Sequence, residues 1–284
     1  MVRERAPEAV GPAASPYFCY TYHPLNSPLQ YLRWAATLPM RTRSGASAIA
    51  RRANAAAPAI WGDDFDGKRA LIVGSGPSLD RVDDSFFDRF DVVLFINFAL
   101  KHANGRRPEY FFTTDSGPIR QFIDAHGVEP FRTLGQERCV FAPIFLDQWQ
   151  GFTEEGRRLF TWLRYDAAKW RIVPFRRLGI GLPVTFRYHP RQPDWSSFNE
   201  LPRGRTLPIL DHTSALTAVL FAAMNGSCEI GLIGCDFSAG RAASVAGSQV
   251  DPGNVFEGAI GEFRQLSDAL DRQGITVTNH SWEV

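Results

Sequence analysis

Two runs in this sequence join glycine to polar side chains at the end of an apolar stretch. The first is Leu71-Ile72-Val73-Gly74-Ser75-Gly76-Pro77-Ser78-Leu79. Gly74 and Gly76 carry no Cβ, so the backbone there can approach a ligand closely. Pro77 suits the first turn of a helix, where a missing N–H costs nothing, and Ser78 adds a hydroxyl donor. A strand running into such a turn would offer unpaired amides and a positive dipole end to an anion. The run is not the dinucleotide Gly-x-Gly-x-x-Gly, because Leu79 stands at the third glycine position, and it is not a Walker loop. The second run is Gly234-Cys235-Asp236-Phe237, which sets a carboxylate after another apolar stretch.

Polar residues close further apolar runs. Asn97 follows 92–96, Thr113, Thr114 and Asp115 end 110–114 and its continuation, and Thr213-Ser214 opens an apolar helix. Each alone could be a helix cap. Ligands of open α/β sheets bind beyond the carboxyl ends of the strands, so together these residues predict one shared crevice.

The elements that would position them are legible as alternation. Runs 69–73, 92–96, 110–114, 140–145 and 229–234 read as buried parallel strands, with a last strand at 275–278. Helix-compatible stretches fall at 78–89, 117–126, 153–165, 215–224 and 255–272, the fourth ended by Asn225-Gly226. The pattern predicts an α/β fold, a Rossmann-like parallel sheet with helices on both faces. Residues 61–284 form this domain, with 146–206 as a small lid or insertion. Residues 1–60 differ: they hold seven arginines against Glu4 and Glu8, and 28–38 suits a short amphipathic helix stopped near Pro39. Such a basic arm could lie on an anionic membrane surface or pack on the main domain.

Bulk properties narrow the classes. A net charge of +1 gives no global electrostatic case for nucleic acid. The four cysteines form no CxxC pair, which argues against a zinc site; Cys139 and Cys228 read as buried thiols in a reducing cytosol. No run reaches the roughly 18 apolar residues of a membrane span, and the N-terminus lacks the apolar core of a signal peptide. Asp64-Phe65-Asp66 has the Asp-x-Asp form of metal-dependent glycosyltransferases but precedes the first strand, at the wrong end of the sheet. No metal is therefore expected. His280, after the last strand, reads as a surface residue or one reaching the crevice; His102 and His126 read as surface residues.

As a set, Gly74-Ser75-Gly76-Pro77-Ser78, Asn97, Thr213-Ser214 and Gly234-Cys235-Asp236-Phe237 resemble the bacterial sialyltransferases of glycosyltransferase family 42. The stretch 96–101, with Pro108-Glu109-Tyr110 and Thr114-Asp115, is also similar to the motility-accessory glycosyltransferases and the archaeal hydroxymethylpterin diphosphokinases. The resemblance spans 68–280 in discontinuous patches. It implies a GT-A-like variant of the fold and a CMP-activated keto sugar acid as donor, sialic acid-like or Kdo-like, with a glycan or glycolipid acceptor. CMP-sugar is then a substrate, and no cofactor is required. By position, Ser75 and Asn97 would contact phosphate and ribose. Thr213 and Ser214 would hold the sugar or its carboxylate, and Gly234, Asp236 and Phe237 the cytidine.

Asp115 falls where those sialyltransferases have an asparagine, which makes it a base or ribose ligand. Their tyrosines after Gly-x-Asp-Phe are replaced by 238–241, where Arg241 could steady the leaving phosphate by charge. Their catalytic histidine has no counterpart in 251–262, which leaves Glu257 as the candidate base. His189-Pro190 matches the His-Pro pair of other CMP-sugar transferase families. The expectation is a cytoplasmic bacterial enzyme, peripheral to the inner membrane face through its arm. Two alternatives remain: an ATP- and magnesium-dependent diphosphokinase of the pterin type, and a nucleotide-binding protein without catalysis.

Overall fold

A computed structural model describes residues 16–18, 64–143, 152–162, 164–165, 170–174, 183–188, 206–207, 213–237, 242–245 and 258–283. Its centre is a seven-stranded, wholly parallel sheet. In chain order the strands are β1 (Arg69–Val73), β2 (Val92–Ile96), β3 (Glu109–Thr113), β4 (Cys139–Phe141) and β5 (Thr161–Trp162). Four short strands then lie outside it: β6 (Arg164–Tyr165) pairs with β9 (Thr206–Leu207), and β7 (Trp170–Pro174) with β8 (Pro183–Tyr188). β10 (Glu229–Ile233) and β11 (Thr276–Asn279) return to the sheet, whose order is β11-β10-β1-β2-β3-β4-β5. β10 pairs with β1 from Arg69↔Glu229 to Val73↔Ile233. The chain therefore winds outward from β1 to β5 and then reverses, which puts the switch point between β1 and β10.

Because successive side chains point to opposite faces, each strand feeds two cores. Ala70, Ile72, Leu94, Ile96 and Phe112 pack with α5 (Ser214–Met224) and α6 (Ala259–Asp271). Leu71, Val73, Phe95 and Phe111 pack on the other face with α2 (Ser116–His126) and α3 (Glu129–Leu134). With both faces covered, β2 and β3 are buried at every position; they are apolar except at the ends of β3, where Glu109 accepts from the amides of Asn104 and Gly105 and Thr113 bonds Asn97. Helix α5 is buried from Ser214 to Ala223, which explains its lack of a polar stripe.

Several expected boundaries change. The stretch 78–89 is a 3-10 turn, Pro77–Arg81, followed by the single-turn α1 (Asp84–Phe87), which Asp83 caps at Ser85 N and Phe86 N. Helix 153–165 is only α4 (Glu154–Arg157), because Thr161–Trp162, expected inside an insertion, joins the main sheet as its edge strand. Cys228 is exposed, not buried, since it precedes β10 at the open end of the sheet.

Part of the arm is docked. Phe18 is 4 % exposed and its ring lies 4.9 Å from Phe152. Tyr17 O accepts from Thr153 N, and the Arg120 guanidinium stands 4.8 Å from the Phe18 ring centre. The helix expected at 28–38 lies outside the described residues. Among the described residues, no helix is long and apolar enough to cross a membrane.

Candidate functional site

The two glycine-bearing runs meet at the switch point, and they meet each other. Gly74 N donates to Ile233 O and Gly76 N to Gly234 O, both at 2.7 Å. A Cβ on Gly74 would collide with the Gly234 carbonyl, and one on Gly76 with the Asp236 carboxylate. Ser78 Oγ donates to Asp236 Oδ2 at 2.9 Å and accepts from Gly234 N at 3.0 Å, while Ser78 N faces both carboxylate oxygens at 3.3 and 3.4 Å. The close approach predicted for these glycines is real, but its object is protein. The expectation that the Gly74, Gly76 and Ser78 amides cradle a phosphate is corrected: backbone carbonyls and the Asp236 carboxylate already occupy them. Pro77 opens the 3-10 turn as its type suggests.

Asp236 thereby ties the two runs together through Ser78. Phe237 is also a core side chain, 9 % exposed, with ring centres 5.9 Å from Phe263 and 6.2 Å from Trp282. Like Asn97, Phe237 holds a left-handed backbone, φ 50°, and the cytidine contacts expected of these two residues belong to the proposed function. His280 is neither a surface nor a crevice residue. It is buried, edge-on to Phe86, with Nδ1 2.8 Å from Glu283 Oε2. Asp64 accepts from Tyr110 Oη and Arg138, an internal use consistent with its place at the amino end of β3.

A second polar group gathers at the carboxyl ends of β2 and β3. Asn97, directly after β2, adopts φ 55°, a left-handed conformation that is uncommon outside glycine. Its carboxamide is held by Thr113 Oγ1 at 2.7 Å, and that hydroxyl also accepts from Asp115 N at 3.2 Å. The far end of the Asn97 carboxamide has no partner among the described residues. Asp115 caps α2 by accepting from Gly117 N at 3.0 Å. Next to it, Thr114 Oγ1 and Ser214 Oγ are 2.6 Å apart, and Thr213 caps α5 at Ala215 N. Thr114–Ser214 thus joins the amino-terminal ends of α2 and α5, which come from opposite faces of the sheet. Two positive dipole ends converge on the end of β3.

Sequence reasoning missed one constellation. Asp80, Lys101, His102 and Ser244 form a polar knot across the loops after β1, β2 and β10. Asp80 accepts from Ser244 Oγ at 2.5 Å and from the amides of Ala243 and Ser244; these bonds hold its carboxyl below the ordinary range. Half-burial pulls His102 below its ordinary value. No motif marks these residues, since their proximity depends on three separate loops.

Among the described residues no three His, Cys, Asp or Glu side chains cluster as metal ligands. Glu257, Arg241 and His189 lie outside the described residues. No family model, curated protein or solved structure matches the chain.

Proposed function

We propose that the protein is a glycosyltransferase that moves a sialic acid-like or Kdo-like keto sugar acid from a CMP donor to a glycan hydroxyl, without a metal. The observation that carries the reading is Asn97. A left-handed asparagine costs conformational energy, and such strain is kept where it positions a functional group. Here it holds one end of a carboxamide against Thr113, at the carboxyl edge of the sheet where α/β folds bind ligands. The motif resemblance supplies the donor class.

With the glycine-turn amides engaged internally, the donor would sit at the carboxyl ends of β2 and β3, its phosphate and ribose beside Ser75 and Asn97 and its sugar carboxylate beside Thr213 and Ser214. Ser75, half-buried at the end of β1, would flank the phosphate, and Asp236 and Phe237 the cytidine. In transfer, the acceptor oxygen bonds to the anomeric carbon and the sugar–phosphate C–O bond breaks. Its electron pair leaves with CMP, and the acceptor proton passes to a carboxylate. Glu257 is the proposed base and Arg241 the proposed counter-charge to CMP; Asp115, the described carboxylate at this edge, is the alternative base or a ribose ligand. A glycolipid acceptor would suit a basic arm lying on the inner membrane face. The GT-A-like variant belongs to the same proposal.

The diphosphokinase reading loses ground, because it needs carboxylates around the phosphates and Asp236 is tied to Ser78. Calorimetric titration with CMP tests the proposal. Asn97→Gly removes the carboxamide yet keeps a residue at ease with positive φ. We expect CMP affinity to fall about tenfold or more, roughly 1.4 kcal/mol, with thermal stability held or raised. Unchanged affinity in the variant, or no CMP binding by the intact chain, defeats the reading. Glu257→Gln should abolish transfer while sparing CMP binding.

A further inference from the structure

The helix that begins at Asn97 ends on two residues that grip another part of the chain. Asn97–His102 is one 3-10 helix of two turns. Lys101 Nζ donates to Ser244 O at 3.2 Å, and His102 Nε2 lies 3.2 Å from Ser244 Oγ. Ser244 belongs to a strap, residues 242–245. Asp80 receives the amides of Ala243 and Ser244 and the Ser244 hydroxyl, and Ala242 N donates to Ser75 O at 2.9 Å. Ala242 and Val245 are 0 % and 1 % exposed in the core on the α2 face. Residues 242–245 therefore bridge the turn after β1 and the helix after β2.

A non-glycine residue keeps a positive φ only where its surroundings over-determine it. Thr113 holds the 3-10 helix at its start, Asn97, and the strap holds it at its end, Lys101 and His102. We propose that Asp80 and Ser244 are positioning residues: strap docking and the left-handed geometry of Asn97 form one coupled equilibrium, so the docked strap tightens the grip on a nucleotide. The ligand half of this inference rests on the CMP reading; the backbone half does not. Coupling is reciprocal, so disturbing either end must register at the other.

Amide hydrogen exchange on the full chain reads the backbone half. Asn97→Ala disfavours positive φ, whereas Asn97→Gly tolerates it, and both remove the same carboxamide. Ala243 and Ser244 amides should exchange about fivefold faster in Asn97→Ala than in Asn97→Gly, with β3 amides alike in the two variants. Equal exchange at Ala243 and Ser244 overturns the coupling. For the ligand half, Ser244→Ala and Asp80→Asn should each weaken CMP about threefold or more by calorimetry. If CMP binds the intact chain and both variants match it, that half is overturned. Should the intact chain not bind CMP, the ligand half falls with the functional reading, and the exchange comparison still decides the backbone half.

Discussion

At Gly76 a missing side chain and a carboxylate 160 positions away solve one problem together. The Asp236 carboxylate fills the space where a Cβ on residue 76 would stand, and from there it satisfies Ser78. Leaving the Ser78 amide and hydroxyl unpaired should cost about 1–3 kcal/mol, so Asp236→Ala is expected to lower the midpoint of urea unfolding. Gly76→Ala should cost a similar amount by expelling the same carboxylate. The two changes then share one loss, and the double variant should fall short of additivity by about 1 kcal/mol or more. Strict additivity would show that Gly76 and Asp236 act separately.

His102 gives a residue-scale pH expectation. Burial lowers its folded pKa below the ordinary 6.5; Asp80 and Asp84 oppose that shift, and Lys101 adds to it. The unfolded chain therefore binds more protons in the window just below 6.5. The stability involved is full above that value and declines as pH falls toward the folded pKa. His102→Gln should lose less thermal stability than the parent chain when pH is lowered from about 7 to about 5.5. An identical loss in both would mean that His102 does not titrate differently on folding.

Among the elements, the docked fragment 16–18 is a lesson in what periodicity cannot carry. Three residues of an arginine-rich arm offer no repeat to read, yet Phe18 completes the aromatic cluster of Phe152, Phe141 and Phe160. Phe18→Ala should destabilise the domain by about 3 kcal/mol, a cavity-forming loss measurable by chemical denaturation. A negligible change would mean that the fragment merely rests on the surface. Strands β1, β2, β3 and β10 were legible because both faces are covered, so each is an unbroken apolar run bounded by polar residues. Helix α5 was legible for the same reason. Thr161–Trp162 was not: a two-residue edge strand has no period, and it falls inside a helix predicted over 153–165 that in fact ends at Arg157. At the site, residue types revealed which positions end strands. They could not reveal that the amides of one glycine run would spend themselves on the carbonyls and carboxylate of the other, because that partner is set by strand order.

For the whole molecule, the double-faced sheet sorts the three described cysteines by access. Burial drives the Cys139 thiol far up its scale and pushes Cys235 up to about 12, whereas Cys228 is exposed beside Gly67 O. Thiolate, not thiol, reacts with alkylating reagents. Peptide mapping after brief iodoacetamide treatment should find Cys228 modified in the native protein, and Cys139 and Cys235 only after denaturation. Native modification of Cys139 would place β4 at an open edge instead of within the sheet.

The late return of β10 also has a consequence for synthesis. Its contacts with β1 join positions 160 residues apart, such as Cys228 with Lys68. Such distant parallel pairing forms slowly, and a growing polypeptide exposes unfinished surfaces in the meantime. While the ribosome has yet to release residues beyond β5, one flank of β1 has no neighbour and Ser78 has no carboxylate. Truncated chains ending before Glu229 should consequently bind chaperones or precipitate, and competence for any ligand should emerge only in the last stage of translation.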